Sequence, residues 1–499
     1  MSLLPLFVVV PLGAAFLTPI FSKFWKWFPD LWGNITSAVL MGLSLWVLQY
    51  SGDTFVYNAG GWEPINGIPM GIAMVMDGLS VFMLIIINVV AFLVTLYSVN
   101  YMTQYTDKGK YYTLFLLMLA GLNGVVLSGD MFNFFVFLEI AGIATYALVA
   151  FSIEAEGLEA SFKYQILGGV ASGCILLGIA FFYFLTGTLN MADASRIISE
   201  MGVNPAVIFT GILFLVGFSL KAGLMPFHGW LPDAYPSAPA SISAMMSGVG
   251  SKVLGVYALI RIFFNVFGMA GIPSLLTIFL VLGTLSMVVG AFLALGQSDF
   301  KRLLAYSSIS QIGYCIFAFG LGTPLGILGG LFHLLNHAVF KPLLFFNSGA
   351  VVYATDNRDL ESMGGLSQKM PVTGTTSLIG SLSVGGLPPL AGFWSKLIII
   401  IAAIESGHHI LAAVAIVISI VTLAYYLKVQ RYAFFGALGE VYKKVKEVPA
   451  LMCISMIVLA ILSIALGILM LPQFRGVLLD PAVKVVGGGI TYAKMVLGG

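Results

Sequence analysis

The chain has 499 residues, of which 59% are hydrophobic and only 9% charged, with a formal net charge of +2. A soluble globular domain carries roughly 25% charged residues, so the composition excludes an ordinary soluble enzyme and predicts an all-α, polytopic membrane protein. The slight charge excess and the lack of a basic tract make nucleic acid an unexpected partner. Cys174, Cys315 and Cys453 are scattered through apolar segments without CxxC spacing, which argues against a cysteine-ligated iron–sulfur cluster or a disulfide framework within the chain.

Apolar runs of about 20 residues match a hydrocarbon core of roughly 30 Å. They predict fourteen spans, at about 3–21, 31–50, 77–97, 111–128, 131–152, 162–186, 206–223, 238–265, 274–295, 303–320, 324–348, 372–403, 409–434 and 449–472. The first run has no basic residue ahead of it, so it reads as a retained helix and not a cleaved signal. Spans seven and twelve carry internal Gly/Pro breaks. From about residue 473 the tail is Gly-rich and mildly polar, with no further span expected.

Lysine and arginine set orientation. The segments after odd-numbered spans hold Lys23, Lys26, Lys108, Lys110, Lys301, Arg302, Arg358, Lys369, Lys428, Arg431, Lys443, Lys444 and Lys446. Those after even-numbered spans hold Arg196 and Arg261, joined by Arg475, Lys484 and Lys494 if the tail is counted. The bias predicts a multi-pass cell (plasma) membrane protein with both termini on the outer side.

A motif recurs. Gly223-Leu224-x-Pro226-x-x-Gly229-Trp230 near span seven returns as Gly386-Leu387-x-Pro389-x-x-Gly392-x-Trp394 near span twelve, with Pro388 ahead of Pro389. Five spans separate the copies, so they run in opposite directions across the membrane. This predicts two inverted five-helix repeats with broken helices seven and twelve. The expected division is 1–110 (helices one to three), 111–270 (first repeat), 271–436 (second repeat) and 437–499 (helix fourteen and tail).

Ionisable residues at membrane depth are costly and are functional candidates by default. Lys221 precedes the first break, with His228 and Asp233 after it; its bland reading is a lysine that snorkels to the interface. Glu139 lies among phenylalanines in span five and would pair with Lys221, either as a working couple or as a static one that fixes helix packing. Lys252 follows Ser-Gly-Val-Gly-Ser in span eight, and Lys396 sits just past the second break. His333, His337 and Lys341 repeat every four residues and share one helix face. Two histidines at that spacing can bind zinc, but no third ligand is evident, so no metal is expected and a proton relay or polar packing between helices remains. Lys163, after Glu154, Glu156 and Glu159, reads as a relay or as a salt-bridged surface charge. Asp77, Asp130 and Asp299 stand at helix starts, where they complement the helix dipole.

Taken together, these residues resemble the antiporter-like subunits shared by respiratory complex I, Mrp-type cation/proton antiporters and membrane-bound hydrogenases. The resemblance rests on the block from Lys221 to Pro239, on Ser251-Lys252-Val through Arg261, on Asp299-Phe-Lys-Arg-Leu-Leu-Ala-Tyr-Ser-Ser-Ile-Ser-Gln-Ile-Gly313, on the His333/His337/Lys341 face and on Gly386 to Lys396. It implies a fourteen-helix fold in which Glu139 pairs with Lys221, Lys252 and the histidines connect, and Lys396 serves the second broken helix. Some members place a glutamate at that last position. The wording Gly129-Asp-Met-Phe-Asn133 is closer to the D-type Mrp subunits and their hydrogenase-complex counterparts than to classical complex I subunits.

The leading expectation is a proton-translocating subunit of a multisubunit, redox-driven membrane complex of the hydrogenase or complex I type. The alternatives are a D-type subunit of an Mrp Na+/H+ antiporter and, least, a structural anchor. No nucleotide loop, flavin fingerprint, haem ligand set or cluster site is recognisable, so no cofactor is expected in this chain and the energy must come from elsewhere. The expected partners are further antiporter-like and small membrane subunits, lipid, and protons, with Na+ as a second ion to test.

Overall fold

The computed structural model describes residues 3–63, 69, 71–268 and 272–497. Two helices, α1 (Leu6–Phe21) and α2 (Phe28–Val47), precede a two-stranded antiparallel hairpin of β1 (Phe55–Asn58) and β2 (Ala73–Met76), in which Phe55 faces Met76. Then come α3 (Gly78–Tyr101), α4 (Lys108–Leu127), α5 (Met131–Val149), α6 (Ala155–Thr186), α7 (Met191–Met201), α8 (Pro205–Ala222), α9 (Leu231–Ser237) and α10 (Ala240–Val266). The second half holds α11 (Pro273–Leu295), α12 (Phe300–Gly320), α13 (Pro324–Thr355), α14 (Pro371–Gly385), α15 (Ala391–Glu405) and α16 (His409–Val429). The chain ends with α17 (Ala450–Ala465), α18 (Pro472–Gly487) and α19 (Thr491–Leu497).

Among the described residues, twelve helices are long and apolar enough to cross a membrane. The predicted spans one and twelve correspond to shorter helices: α1, and the 15-residue pair α14 and α15. The predicted repeat boundary at 270–271 falls partly outside the described residues. α10 and α13 are buried along their whole apolar windows, whereas only about a third of the corresponding windows in α2, α16 and α17 is buried. The two most buried helices carry Lys252, Arg261 and Lys341.

The start of each helix follows local chemistry. Asp77, Asp107, Asp130 and Asp299 cap α3, α4, α5 and α12 by accepting a backbone N–H from the first turn, the standard role of a carboxylate at an N-cap. Both breaks stop their helix in the same way. Gly223 (φ 71°) and Gly386 (φ 79°) take the left-handed conformation that suits glycine. Leu224 N–H then returns to Ser219 O, and Leu387 N–H to Leu382 O. Each break continues through a cis proline, Met225–Pro226 and Pro388–Pro389.

Four features differ from the sequence expectation. The seventh span is not broken internally: α8 runs intact to Ala222 and the break lies at its end, because Gly223 ends the ladder before Pro226 is reached. The fold is not wholly helical, since β1 and β2 pair over four residues each, too short for alternation to reveal. The amphipathic α7 lies between spans six and seven, burying Met191, Ala194, Ser195 and Ile198. The tail forms α18 and α19, which fold back onto α3 and α10, with Ser51 Oγ donating to Val477 O and Asn265 Nδ2 to Val485 O.

Candidate functional site

Three helices bring one lysine to a four-way junction. Glu139 lies two turns into α5, Ser172 midway along α6, and Lys221 in the last turn of α8. Lys221 Nζ is 3.1 Å from Ser172 Oγ, 3.2 Å from Tyr146 Oη and 3.3 Å from Glu139 Oε1. Ser172 donates to that same carboxylate oxygen at 2.5 Å, so the hydroxyl is its nearer partner. The Lys221 side chain is 2% exposed and that of Glu139 26%; the amine is enclosed while the acid reaches the chain's surface. Tyr146 fits because residue 168 is glycine: a Cβ there would collide with the phenol oxygen. The carbonyl of Leu220 accepts the Gly223 N–H at 3.2 Å and Trp230 Nε1 at 2.8 Å, which ties the break to the helix end.

A second group of cations lies on the buried helices. α10 carries Lys252 and contains π-helical stretches at Met246–Gly250, Lys252–Tyr257 and Arg261–Val266, a wider winding often found at functional positions. Lys252 donates to Ser247 O one turn back. On α13, His333 Nδ1 lies 3.0 Å from Ser395 Oγ of α15, and Asn336 Nδ2 donates to Ala391 O at 3.0 Å. Lys341 donates to Leu304 O at 2.9 Å, to Tyr426 Oη at 3.1 Å and to Ser307 Oγ.

Lys396 reaches back over its own break. Its Nζ donates to Val384 O at 2.8 Å and to Ser419 Oγ at 3.3 Å, beneath the ring of Tyr314. The two break lysines sit on opposite sides of their motifs in sequence, yet both ammonium groups arrive at the broken end of a helix. Among the described residues, Lys252, Lys341 and Lys396 have no carboxylate partner; carbonyls and hydroxyls hold them. Both ring nitrogens of His337, His333 Nε2, Asn336 Oδ1 and both amide atoms of Gln311 are buried without a hydrogen-bond partner among the described residues. Buried polar atoms of this kind are satisfied by ordered water in most proteins.

The sequence pattern described as "NADH:quinone oxidoreductase/Mrp antiporter, TM" matches residues 128–422, a stretch that holds Glu139 and all of these lysines and histidines. The chain belongs to this family. A second pattern, the complex I chain 5 N-terminus, matches residues 62–112. The antiporter-like chain is 33% identical over 458 residues to the D-type subunit of the Na(+)/H(+) antiporter of Alkalihalophilus pseudofirmus, covering 90% of this chain and 92% of that one. It is 35% identical over 432 residues to the N-type subunit of the NADH-quinone oxidoreductase of Desulforudis audaxviator, covering 84% and 85%. A chain of the Mrp complex from a Dietzia species superposes with a TM-score of 0.91 at 28% identity, covering 100% of this chain and 99% of that one. A chain of the membrane-bound sulfane sulfur reductase, an archaeal respiratory membrane complex, superposes with a TM-score of 0.90 at 33% identity, covering 99% and 100%.

Two predicted relay residues of this family member lie away from the buried cations. Lys163 is a surface residue, paired with Glu159 at 2.8 Å and Asp233 at 3.0 Å. It belongs to a charged rim with Arg302, Arg358, Asp299 and Glu156 around a cavity of about 430 Å³. His228 is half-buried in the break after α8, and its Nδ1 has no partner among the described residues. Pro226, Pro388 and Pro389 are exposed at the two breaks, whereas Lys221 and Lys396 are buried.

Several residues at these sites escaped the sequence reading. Ser172, Tyr146, Ser419 and Tyr426 are ordinary in membrane helices and carry no local signal, while Ser307 and Ser395 lie inside the quoted motifs without being singled out. Lys301, counted above with the loop cations, is buried and donates to Pro236 O at 3.2 Å and Ala238 O at 2.8 Å, just past α9. Asp77 is more than a cap: it forms a buried ion pair with Arg261, with oxygen–nitrogen distances of 2.7 and 2.8 Å.

Proposed function

We propose that this chain is the proton-translocating, antiporter-like subunit of a multisubunit, redox-driven membrane complex. The observation that carries the proposal is the junction at Lys221, where one ammonium is shared among a carboxylate and two hydroxyls. A proton delivered to Glu139 loosens its hold on Lys221 and leaves Ser172 and Tyr146 as the lysine's partners. The lysine's proton then passes by Lys252 and the His333/His337 face to Lys396, with Lys341 and His228 as side stations and Lys163 at the surface rim. The unpartnered imidazole and amide atoms between these groups support a hydrated connection. The chain's own residues hold and move protons; the driving reaction belongs to other subunits.

The reading includes fourteen crossings, counting α1 as one and α14 with α15 as another. It includes two inverted five-helix repeats divided at 111–270 and 271–436, supported by the matching glycine turns at the two breaks. Lysine and arginine placement supports a plasma-membrane setting with both termini outside. Glu139, a carboxylate open to the protein's surface at membrane depth, supports a neighbouring subunit on the α5 face, because lipid cannot solvate it.

A second reading is a D-type subunit of an Mrp Na+/H+ antiporter, driven by gradients alone. The full-length match to the Alkalihalophilus protein supports it. Subunits that co-purify with the chain separate the two, since hydrogenase-like or quinone-reducing partners fit only the first. For the proton path itself, the intact complex carrying Lys221→Ala is expected to lose coupled pumping. Normal pumping yield in that variant overturns the mechanism.

A further inference from the structure

The two breaks use their motif tryptophans differently. Trp230 is buried and lies ring on ring with buried Tyr164, the centroids 4.1 Å apart and the planes within 10° of each other. Tyr164 in turn meets the ring of Tyr146 edge-on, at 4.6 Å and 87°. Tyr146 Oη is the phenol oxygen that touches Lys221 Nζ. Three rings therefore run in contact from Lys221 to the backbone just past its helix. At the second break Trp394 is 38% exposed, and its ring partner is its own neighbour, Phe393.

Local spacing explains why the rings meet. Tyr164, Gly168 and Ser172 recur every four residues and share one face of α6. Gly168 leaves the notch that the phenol fills, Tyr164 closes its side, and Ser172 reaches Glu139 and Lys221. Among the described residues, Tyr146 Oη bonds to Lys221 alone. Packing against Tyr164 and Gly168 therefore decides where that oxygen lies.

Trp230 is well placed to back this arrangement. Its N–H is tied to Leu220 O, one residue from Lys221. α9 begins directly after it, and Lys301 of α12 holds the far end of α9 through Pro236 O and Ala238 O. At the surface, Asp233 of α9 pairs with Lys163, the residue next to Tyr164.

We infer that Tyr164, backed by Trp230, is a positioning residue for Lys221, whose ring holds the Tyr146 hydroxyl against the ammonium group. Stacked and edge-to-face pairs are the geometries aromatic rings prefer, so Tyr146 swings away only by giving up its contact with Tyr164. No proton crosses the rings; they fix one of the two hydroxyls that keep Lys221 when Glu139 lets go. This inference rests on the proton path proposed above.

The test is a double-mutant cycle on redox-driven proton uptake by proteoliposomes of the full complex. Tyr164→Leu removes the supporting ring and is expected to slow uptake about tenfold, as the loss of one hydrogen bond to a charged group does. Tyr164→Phe keeps the ring and restores the parental rate. Tyr164→Leu combined with Tyr146→Phe is expected to run no slower than Tyr146→Phe alone, because both act through one oxygen. Independent losses of that size would multiply to about a hundredfold. A multiplied loss overturns the proposal, and so does Tyr164→Leu at the parental rate or Tyr164→Phe as slow as Tyr164→Leu. Should Tyr164→Leu not assemble, Tyr164→Met, whose flexible side chain refills the space without a ring, enters the same cycle with the same expected and overturning results. Full uptake in Lys221→Ala overturns the path and the role of Tyr164 with it. A Lys221-dependent pump that is indifferent to Tyr164→Leu overturns the role of Tyr164 alone.

Discussion

Replacing Glu139 with glutamine removes a charge and little else. The amide keeps the carboxylate's shape and can still accept from Ser172, so the junction stays assembled. What disappears is the attraction across 3.3 Å between Glu139 Oε1 and Lys221 Nζ. At an effective dielectric of about 20 this separation is worth about 5 kcal/mol, and in bulk water about 1 kcal/mol. With Glu139 26% exposed, the value lies between these limits, and about 2–3 kcal/mol is a reasonable working figure. That is a bias of roughly 30- to 150-fold on whether Lys221 carries its proton. Redox-driven proton uptake into proteoliposomes of the purified complex, followed with a pH-sensitive dye, reads the effect. Glu139→Gln is expected to cut the coupled rate by at least about tenfold while subunit content stays normal. An assembled Glu139→Gln complex that pumps at the parental rate and stoichiometry refutes the claim that this charge governs Lys221.

Gly168→Ala and Tyr146→Phe are expected to share a phenotype, because a methyl at 168 would occupy the phenol oxygen's place. Each removes a hydrogen bond to a charged group, worth roughly 1.5–3 kcal/mol; comparable slowing of pumping in the two variants, with normal assembly, checks this, and a normal rate in Gly168→Ala contradicts it. Gly255→Ala would drive a Cβ into the Ala222 backbone, where α10 crosses the end of α8. Overpacking of that kind costs about 1–3 kcal/mol, so the solubilised complex should melt earlier, whereas Gly250→Ala, with its nearest neighbour at 3.8 Å, should not.

Much of the site was legible because the signal was chemical. In a chain with 9% charged residues, a lysine or glutamate within an apolar run stands out, so Glu139, Lys221, Lys252, Lys341 and Lys396 could be picked out one by one. The breaks were legible for a similar reason: glycine followed by proline dictates where a helix stops, and both turns formed at the expected glycines. The hydroxyls that hold the lysines were not legible. Ser172 and Tyr146 become distinctive only once α5, α6 and α8 meet, and 20 tyrosines in the chain compete for attention. Helix periodicity placed His333, His337 and Lys341 on one face, yet it could not tell that the ends of this face meet different neighbours, Ser395 on α15 and Ser307 on α12.

The asymmetry between the two break lysines shows where sequence reasoning stops. Lys221 precedes its glycine and Lys396 follows its own, so the copies look mismatched on paper. A lysine side chain spans enough distance for Lys396 to fold back to Val384 O, and only the packed geometry shows that it does. Sequence alone determined the membrane class, the apolar segments, the positions of the breaks and which residues carry charge, because these depend on side-chain chemistry and local backbone limits. Tertiary structure alone decided which hydroxyls meet which cations, that Asp77 locks Arg261, and that the tail covers them. Those outcomes depend on contacts between residues as far apart as Asp77 and Arg261 or Asn265 and Val485, and no local pattern encodes such distances.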